Sequence, residues 1–195
     1  EVTGCGRTDA GVHARYYVAH NDLEGELPPT FLAGLNSLLP GDIAVFDVVP
    51  VPPGAHARYD AFERSYMYVI TLRKDPFAAE TAWFYPQGRR LALDKLTEVA
   101  ELLPGYTEFF PFCKTNSGVD NYACAIRHVR WTFEPYRLTF DISANRFLRG
   151  MVRLIVGACI QAGHGQLEVA SIRQALDQQT ALKKNLSVPP HGLAL

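Results

Sequence analysis

Gly4-Cys5-Gly6-Arg7-Thr8-Asp9-Ala10-Gly11-Val12-His13-Ala14 places three glycines within eight residues around a single carboxylate, Asp9. Glycine lets a backbone turn sharply and come close to a ligand. Arg7 stands two residues before Asp9 and His13 four after it. The acid is thus accompanied by a guanidinium and an imidazole on pliable backbone. Reactive residues often sit on loops of this kind, held by a rigid scaffold. The same letters also suit an Asp/Gly turn between two strands, with Asp9 bonded to its own backbone. The rest of the chain decides between the two.

The 195 residues allow one large or two small domains. With 48% hydrophobic and 20% charged residues, the chain can bury a core and is not a disordered tail. The formal net charge of −1 excludes a global positive field, so any nucleic acid must be met by local clusters of arginine. Cys5, Cys113, Cys124 and Cys159 form no C-x-x-C pair and no regular spacing. They suggest neither a zinc site nor a disulfide framework, and read as reduced thiols of a cytoplasmic protein. Cys5 near Asp9 is a conceivable nucleophile, but nothing around it marks it as activated. No signal peptide is visible. The most apolar run, Met151 to Ala162, is interrupted by Arg153 and is too short to span a bilayer.

Hydrophobic periodicity divides the chain. Val12 to His20 reads as a strand leaving the glycine-rich stretch. Thr30 to Leu39 reads as a helix preceded by Pro28-Pro29 and stopped by Pro40-Gly41, and Ile43 to Val49 as a valine-rich strand. Pro50-Val51-Pro52-Pro53-Gly54 can continue neither a helix nor a sheet interior and marks a linker. We therefore expect an N-terminal lobe over residues 1–53 and a C-terminal lobe over 54–195. In the second, Arg64 to Leu72 alternates as a strand and Ala82 to Tyr85 is a short one. Leu91 to Leu103 is an amphipathic helix. Arg127 to Phe133 and Arg137 to Ala144 form a hairpin around Glu134-Pro135-Tyr136. Helices follow over Asn145 to Ala162 and about Glu168 to Gln178. The expected class is α+β, two lobes of mostly antiparallel sheet with flanking helices and a substrate cleft between them.

On a helix starting at Asn145, Arg146, Arg149 and Arg153 lie three and four residues apart, within an arc of roughly 60°. Phe147, Leu148, Met151, Val152, Ile155 and Cys159 cover the other side. Such a stripe is either a solvated face or a row of phosphate contacts with one guanidinium available to Asp9. Tyr66 is either one of a row of strand aromatics or a platform for a base, since every base has a π-face.

Five stretches resemble the tRNA pseudouridine synthase I (TruA) family, three of them long and two weaker. Arg7 to Ala14, R-T-D-A-G-V-H-A, is similar to the motif around the family's catalytic aspartate, which assigns that role to Asp9. Ser143 to Gly157 resembles S-A-N-x-F-L-x-x-M-V-R-x-I-V-G, whose arginine faces the aspartate, so that part falls on Arg153. A buried carboxylate tends to take up a proton, and a guanidinium partner favours its ionised form. His56-Ala57-Arg58-Tyr59, followed by Arg64-Ser65-Tyr66-Met67-Tyr68, resembles H-A-R-[FY] and R-x-Y-x-Y. This makes Tyr66 the residue that stacks on the target base and brings Arg58 into the substrate-binding set. Asn36 to Val45 is similar to N-x-x-L-P-x-D-I-x-V, and His191-Gly192-Leu193-Ala194-Leu195 to the closing G-L-x-L, whose first leucine, here Leu193, packs in the active site. The family precedes that closing with a T-A-P-type stretch, from which Asn185-Leu186-Ser187-Val188-Pro189-Pro190 departs. Members carry a further strand and helix ahead of the aspartate motif, so truncation at Glu1 is expected.

The resemblance implies isomerisation of uridine to pseudouridine in the anticodon stem-loop of tRNA, with no cofactor, no metal and no membrane, by a homodimer whose two subunits both touch tRNA. Arg7 would hold the flipped nucleotide's phosphate or fill its vacated place. Arg146 and Arg149 would contact RNA phosphates. Asp9 could attack the sugar carbon, attack the uracil ring, or abstract a sugar proton. A non-catalytic tRNA-binding module on the same scaffold is the alternative. A dinucleotide fingerprint beginning at Gly4-x-Gly6 is disfavoured, because position 9 holds Asp and no βαβ unit follows.

Overall fold

The computed structural model describes residues 1–114, 118, 120–182 and 186–195. Asn185, which opens the stretch that departs from the T-A-P pattern, lies outside them. By contact the chain divides into two compact units, Glu1–Gly6 with Val18–Asp60 and Arg7–Tyr17 with Ala61–Leu195. The glycine-rich stretch is therefore split, and the part holding Asp9 packs with the larger unit.

The smaller unit pairs β1 (Thr3–Gly4) antiparallel with β2 (Ala19–His20) and carries α1 (Phe31–Leu38). The helix keeps the expected bounds to within a residue. The strand expected over Val12 to His20 shrinks to its last two residues, and Ile43 to Val49 forms no strand. The reason for the second is local. The Asn36 amide accepts from Val45 N at 2.8 Å and donates to Val45 O at 2.8 Å. A side chain thereby takes both backbone groups that a neighbouring strand would use.

The larger unit is built on one mixed sheet. β3 (Arg64–Thr71) lies between β6 (Arg137–Ala144), antiparallel on one edge, and two short strands on the other. Those are β4 (Trp83–Phe84), parallel to its end, and β7 (Leu193–Ala194), antiparallel to Met67–Tyr68. β5 (Ile126–Glu134) completes the sheet against β6 through the expected hairpin, with an irregularity between Ile126 and His128. The period of two along β3 sends Tyr68, Ile70 and Leu72 into the core, where they meet Leu138, Phe140 and Ile142 of β6. α2 (Leu93–Leu102), α3 (Met151–Gly163) and α4 (Val169–Gln178) close that core with Leu96, Val99, Ile155, Cys159 and Ile172, all fully buried. The architecture is α+β, as expected. Among the described residues no helix is long and apolar enough to cross a membrane.

α3 starts six residues later than its apolar pattern suggests. Gly150 takes a left-handed conformation, φ +71°, which ends any helix running through it. Upstream, Asn145 is tied elsewhere: its Oδ1 accepts from Ala125 N at 2.7 Å and Arg146 N at 2.9 Å. Arg146 and Arg149 therefore stand on a loop, and the helical arginine stripe does not form.

Mid-helix, Gly157 lies flat against the backbone of Leu186, and a Cβ there would collide with the Leu186 carbonyl. Neither partner is a flexible side-chain end, so α3 or the 186–188 segment must shift. Gly157→Ala is expected to destabilise the chain by about 3 kcal/mol, read as a lower urea midpoint at unchanged slope.

Candidate active site

The segment after Asp9 is held by the C-terminal strand. His13 N donates to Leu193 O at 2.9 Å, Leu195 N returns a bond to His13 O at 2.9 Å, and Arg15 N donates to Leu195 O at 2.6 Å. His13 Nε2 lies 2.7 Å from the Glu80 carbonyl, which can only accept, so that nitrogen carries the proton. Asp9 itself sits in a turn closed by Val12 N donating to Asp9 O at 3.2 Å. Gly11 in that turn has φ +79°, and Pro190 packs directly over it. A glycine turn is thus present, but it is closed by the Asp9 main-chain carbonyl and is not set between two strands, and the Asp9 carboxylate goes to another partner.

That partner is Arg153, on the first turn of α3. Its Nη1 donates to Asp9 Oδ2 at 2.7 Å, and its Nε donates to Val188 O at 2.8 Å. Side-chain exposure is 12% for Arg153 and 24% for Asp9, so the pair is largely withdrawn from water without being sealed from a ligand. One planar guanidinium thereby bridges a side chain near the start of the chain and a backbone carbonyl near its end. An ammonium could not span the two acceptors in the same fixed geometry. Tyr68, buried below, donates its hydroxyl to Pro189 O at 2.8 Å, which holds the segment that supplies the Val188 carbonyl. Burial pushes the Tyr68 hydroxyl well above the ordinary tyrosine range, so it remains a donor.

Leu193 is buried on β7 opposite Tyr68. Tyr66, two residues back along β3 and on the same face as Tyr68, is half-buried and meets Phe147 edge to face at 5.2 Å. Asp9 and Arg153 are thus joined directly, Leu193 is tied to the segment after Asp9 through His13, and Tyr66 lies on β3 two residues before the Tyr68 that Leu193 pairs. Arg7 is exposed at the start of the same segment, Arg146 is half-buried and Arg149 exposed. Arg58 belongs to the smaller unit. It is exposed there, in a turn whose backbone N–H groups at Arg58 and Tyr59 donate to His56 Nδ1, while Ala57 N donates to His20 Nδ1 at 3.0 Å. Sequence reasoning missed the Val188 carbonyl and the Tyr68–Pro189 bond. Both are backbone contacts, which leave no residue-type signature. Among the described residues no three His, Cys, Asp or Glu side chains are gathered to hold a metal.

Residues 99–195 match the sequence profile described as tRNA pseudouridine synthase. Over 198 aligned residues the chain is 44% identical to tRNA pseudouridine synthase A of Parabacteroides distasonis, an alignment covering 100% of this chain and 77% of that protein. It is 45% identical to the protein of the same name from Bacteroides fragilis, over 100% of this chain and 78% of the relative. For Bacillus subtilis the identity is 34%, over 100% and 79%.

The chain belongs to the tRNA pseudouridine synthase family. Asp9 and Arg153 both lie within the stretch aligned to these relatives, which is the whole chain, and Arg153 also lies within the matched profile.

Among the described residues the cysteines form no disulfide. Burial pushes Cys124 up to about 11 and Cys159 up to about 12, so neither offers a thiolate at neutral pH, whereas Cys5 and Cys113 are only half-buried. A thiol reagent at pH 8 is expected to label Cys5 and Cys113 in the native chain and Cys124 and Cys159 only after unfolding. Mass mapping of the adducts checks this.

Proposed function

We propose that this synthase isomerises uridine to pseudouridine in the anticodon stem-loop of tRNA, with Asp9 as the essential carboxylate. The C1′–N1 glycosidic bond breaks, the uracil turns, and a C1′–C5 bond forms. N1 takes up a proton and the hydrogen on C5 leaves. Substrate and product are isomers, so the net reaction consumes no reductant and no nucleotide. The uridine must first leave its stack. In this reading Tyr66 supports the everted base, Leu193 walls the pocket, and Arg7 and Arg58 bind the nucleotide's surroundings. Arg153 holds Asp9 Oδ2, which assigns Oδ1 to the nucleoside. Arg146 and Arg149, on the loop before α3, are read as phosphate contacts.

One observation carries the proposal: a carboxylate and a guanidinium 144 residues apart in sequence meet at 2.7 Å, with Arg153 fixed from its other side by a backbone carbonyl. A purely structural ion pair would serve equally well on a closed surface, but Asp9 retains access to solvent. The names of relatives aligned along the whole chain favour catalysis over a non-catalytic RNA-binding module. The same reading carries a homodimer with tRNA touching both subunits, working in the cytoplasm; sedimentation of the chain with and without tRNA tests the first point. The direct test of activity is release of tritium to water from tRNA labelled at C5 of uridine. Catalytic release supports the proposal, and stoichiometric tRNA binding with no release would sink it.

A further inference from the structure

At the end of the sheet away from Tyr66, two guanidiniums converge on one exposed ring. The guanidinium carbon of Arg73 lies 4.4 Å from the centre of the Tyr136 ring and that of Arg89 lies 5.8 Å from it, so the two cations are at most about 10 Å apart. Backbone fixes the arrangement. Leu72 N donates to Tyr136 O at 2.8 Å, Tyr85 N donates to Thr71 O at 2.8 Å, and Arg89 Nε donates to Leu72 O at 3.2 Å. Lys74, Arg90 and Arg137 adjoin these residues in sequence, and Arg137 pairs with Thr71 across the sheet. Five cationic residues from three segments are thus brought to one end of the unit.

Carboxylates do not neutralise them. Among the described residues the ion pairs are Lys95–Glu98, Arg127–Glu63 and Arg153–Asp9, and none involves these five. Of the acids nearest in sequence, Asp75 accepts from Phe77 N at 3.0 Å, and Glu134, the ladder partner of Arg137 in the hairpin, makes no salt bridge to it. In a chain of net charge −1, this is a local excess of positive charge, with Arg73, Lys74, Arg89 and Arg90 exposed and Arg137 half-buried, its Nε donating to Thr139 Oγ1 at 3.4 Å. A generic solvated face intersperses both signs. Here Tyr136 instead gathers like charges, an arrangement that a polyanion stabilises.

We propose that Arg73 and Arg89, with Lys74, Arg90, Arg137 and the Tyr136 ring, form a contact for the sugar–phosphate backbone of tRNA remote from the reacting nucleotide. This rests on the reading that the chain acts on tRNA. A guanidinium fork matches phosphate oxygens, and a ring beneath it limits its rotamers. The five steps from Tyr66 to Thr71 rise roughly 17 Å along β3, and Arg73 follows two residues past its end, so this surface meets a different part of the RNA from the base at Tyr66. It contributes to binding and leaves the chemical step alone.

The test compares R73A/R89A with K95A/R173A, which removes the same charge from exposed positions on α2 and α4, and with R73K/R89K, which keeps the charge. Binding of an unmodified tRNA transcript is measured by filter retention from about 50 to 300 mM KCl. Pseudouridine formation is measured at saturating tRNA. R73A/R89A is expected to bind about tenfold more weakly at 100 mM salt, with the log–log salt slope shallower by about 1.5, and to turn over within twofold when saturated. R73K/R89K should keep the slope, and K95A/R173A should bind within twofold of the unaltered chain. Unchanged affinity and slope in R73A/R89A, or equal weakening in both alanine pairs, would overturn the proposal. So would failure of the unaltered chain to bind tRNA at all. If the unaltered chain binds tRNA but forms no pseudouridine, the catalytic reading fails while the slope comparison still decides this surface.

Discussion

Asp9→Asn is expected to stop tritium release, lowering the rate by about 10⁴-fold or more while tRNA still binds. The substitution is nearly isosteric. The amide oxygen can still accept from Arg153 Nη1, so the turn closed by Val12 and Asp9 and the pairing of His13 with the C-terminal strand remain in place. What disappears is the negative charge and the ability to attack, or to take a proton. A carboxylate acting on the glycosidic carbon, the uracil ring or a sugar proton is disabled equally by this change. The prediction therefore holds whichever route the chemistry follows. Asp9→Ala should be as inactive but less stable, since it leaves the Arg153 guanidinium partly desolvated with one acceptor missing. If Asp9→Asn turned over within tenfold of the unaltered chain, with unchanged tRNA affinity, the catalytic assignment would be wrong.

How much of this could be read from sequence depends on what each feature rests on. β3, the β5–β6 hairpin and helices α2 and α4 announce themselves because each buries one face, and burial writes a period of two or 3.6 into the letters. The helix start at Met151 was missed for the opposite reason. Phe147 and Leu148 continue the apolar period, yet Gly150 and the Asn145 side chain impose a loop, and local side chain-to-backbone bonds carry no periodicity. Ile43 to Val49 failed as a strand because Asn36 satisfies Val45, a contact between residues nine apart that β-propensity does not register. At the site, the resemblance named Asp9 and Arg153 as facing each other. The second anchor of Arg153 is the Val188 carbonyl, within the stretch that departs from the family pattern. Backbone acceptors are the same at every position, so Val188 can supply this one whatever its side chain.

That anchor sets the effect of changing Arg153. Arg153→Lys retains the positive charge, but one ammonium cannot bridge Asp9 Oδ2 at 2.7 Å and Val188 O at 2.8 Å in the plane that the guanidinium provides. It is expected to lower the rate at saturating tRNA by about 10²-fold, and Arg153→Met by about 10³-fold, with tRNA affinity within about threefold for both. The stability cost should be smaller than the catalytic one. A fully buried pair broken on one side costs about 3–5 kcal/mol, and an exposed pair less than about 1. With side-chain exposures of 12% and 24%, Arg153→Met should fall between these, at about 2 kcal/mol by urea unfolding. The double variant with Asp9→Asn separates the two roles. If Arg153 acts by positioning the Asp9 carboxylate, adding Arg153→Met to Asp9→Asn lowers the residual rate no further, because the group being positioned has already lost its function. Full additivity of the two rate losses would instead assign Arg153 an independent contact with the nucleotide. An Arg153→Lys variant working within threefold of the unaltered chain would show that a point charge suffices and that the bridge to Val188 has no catalytic part.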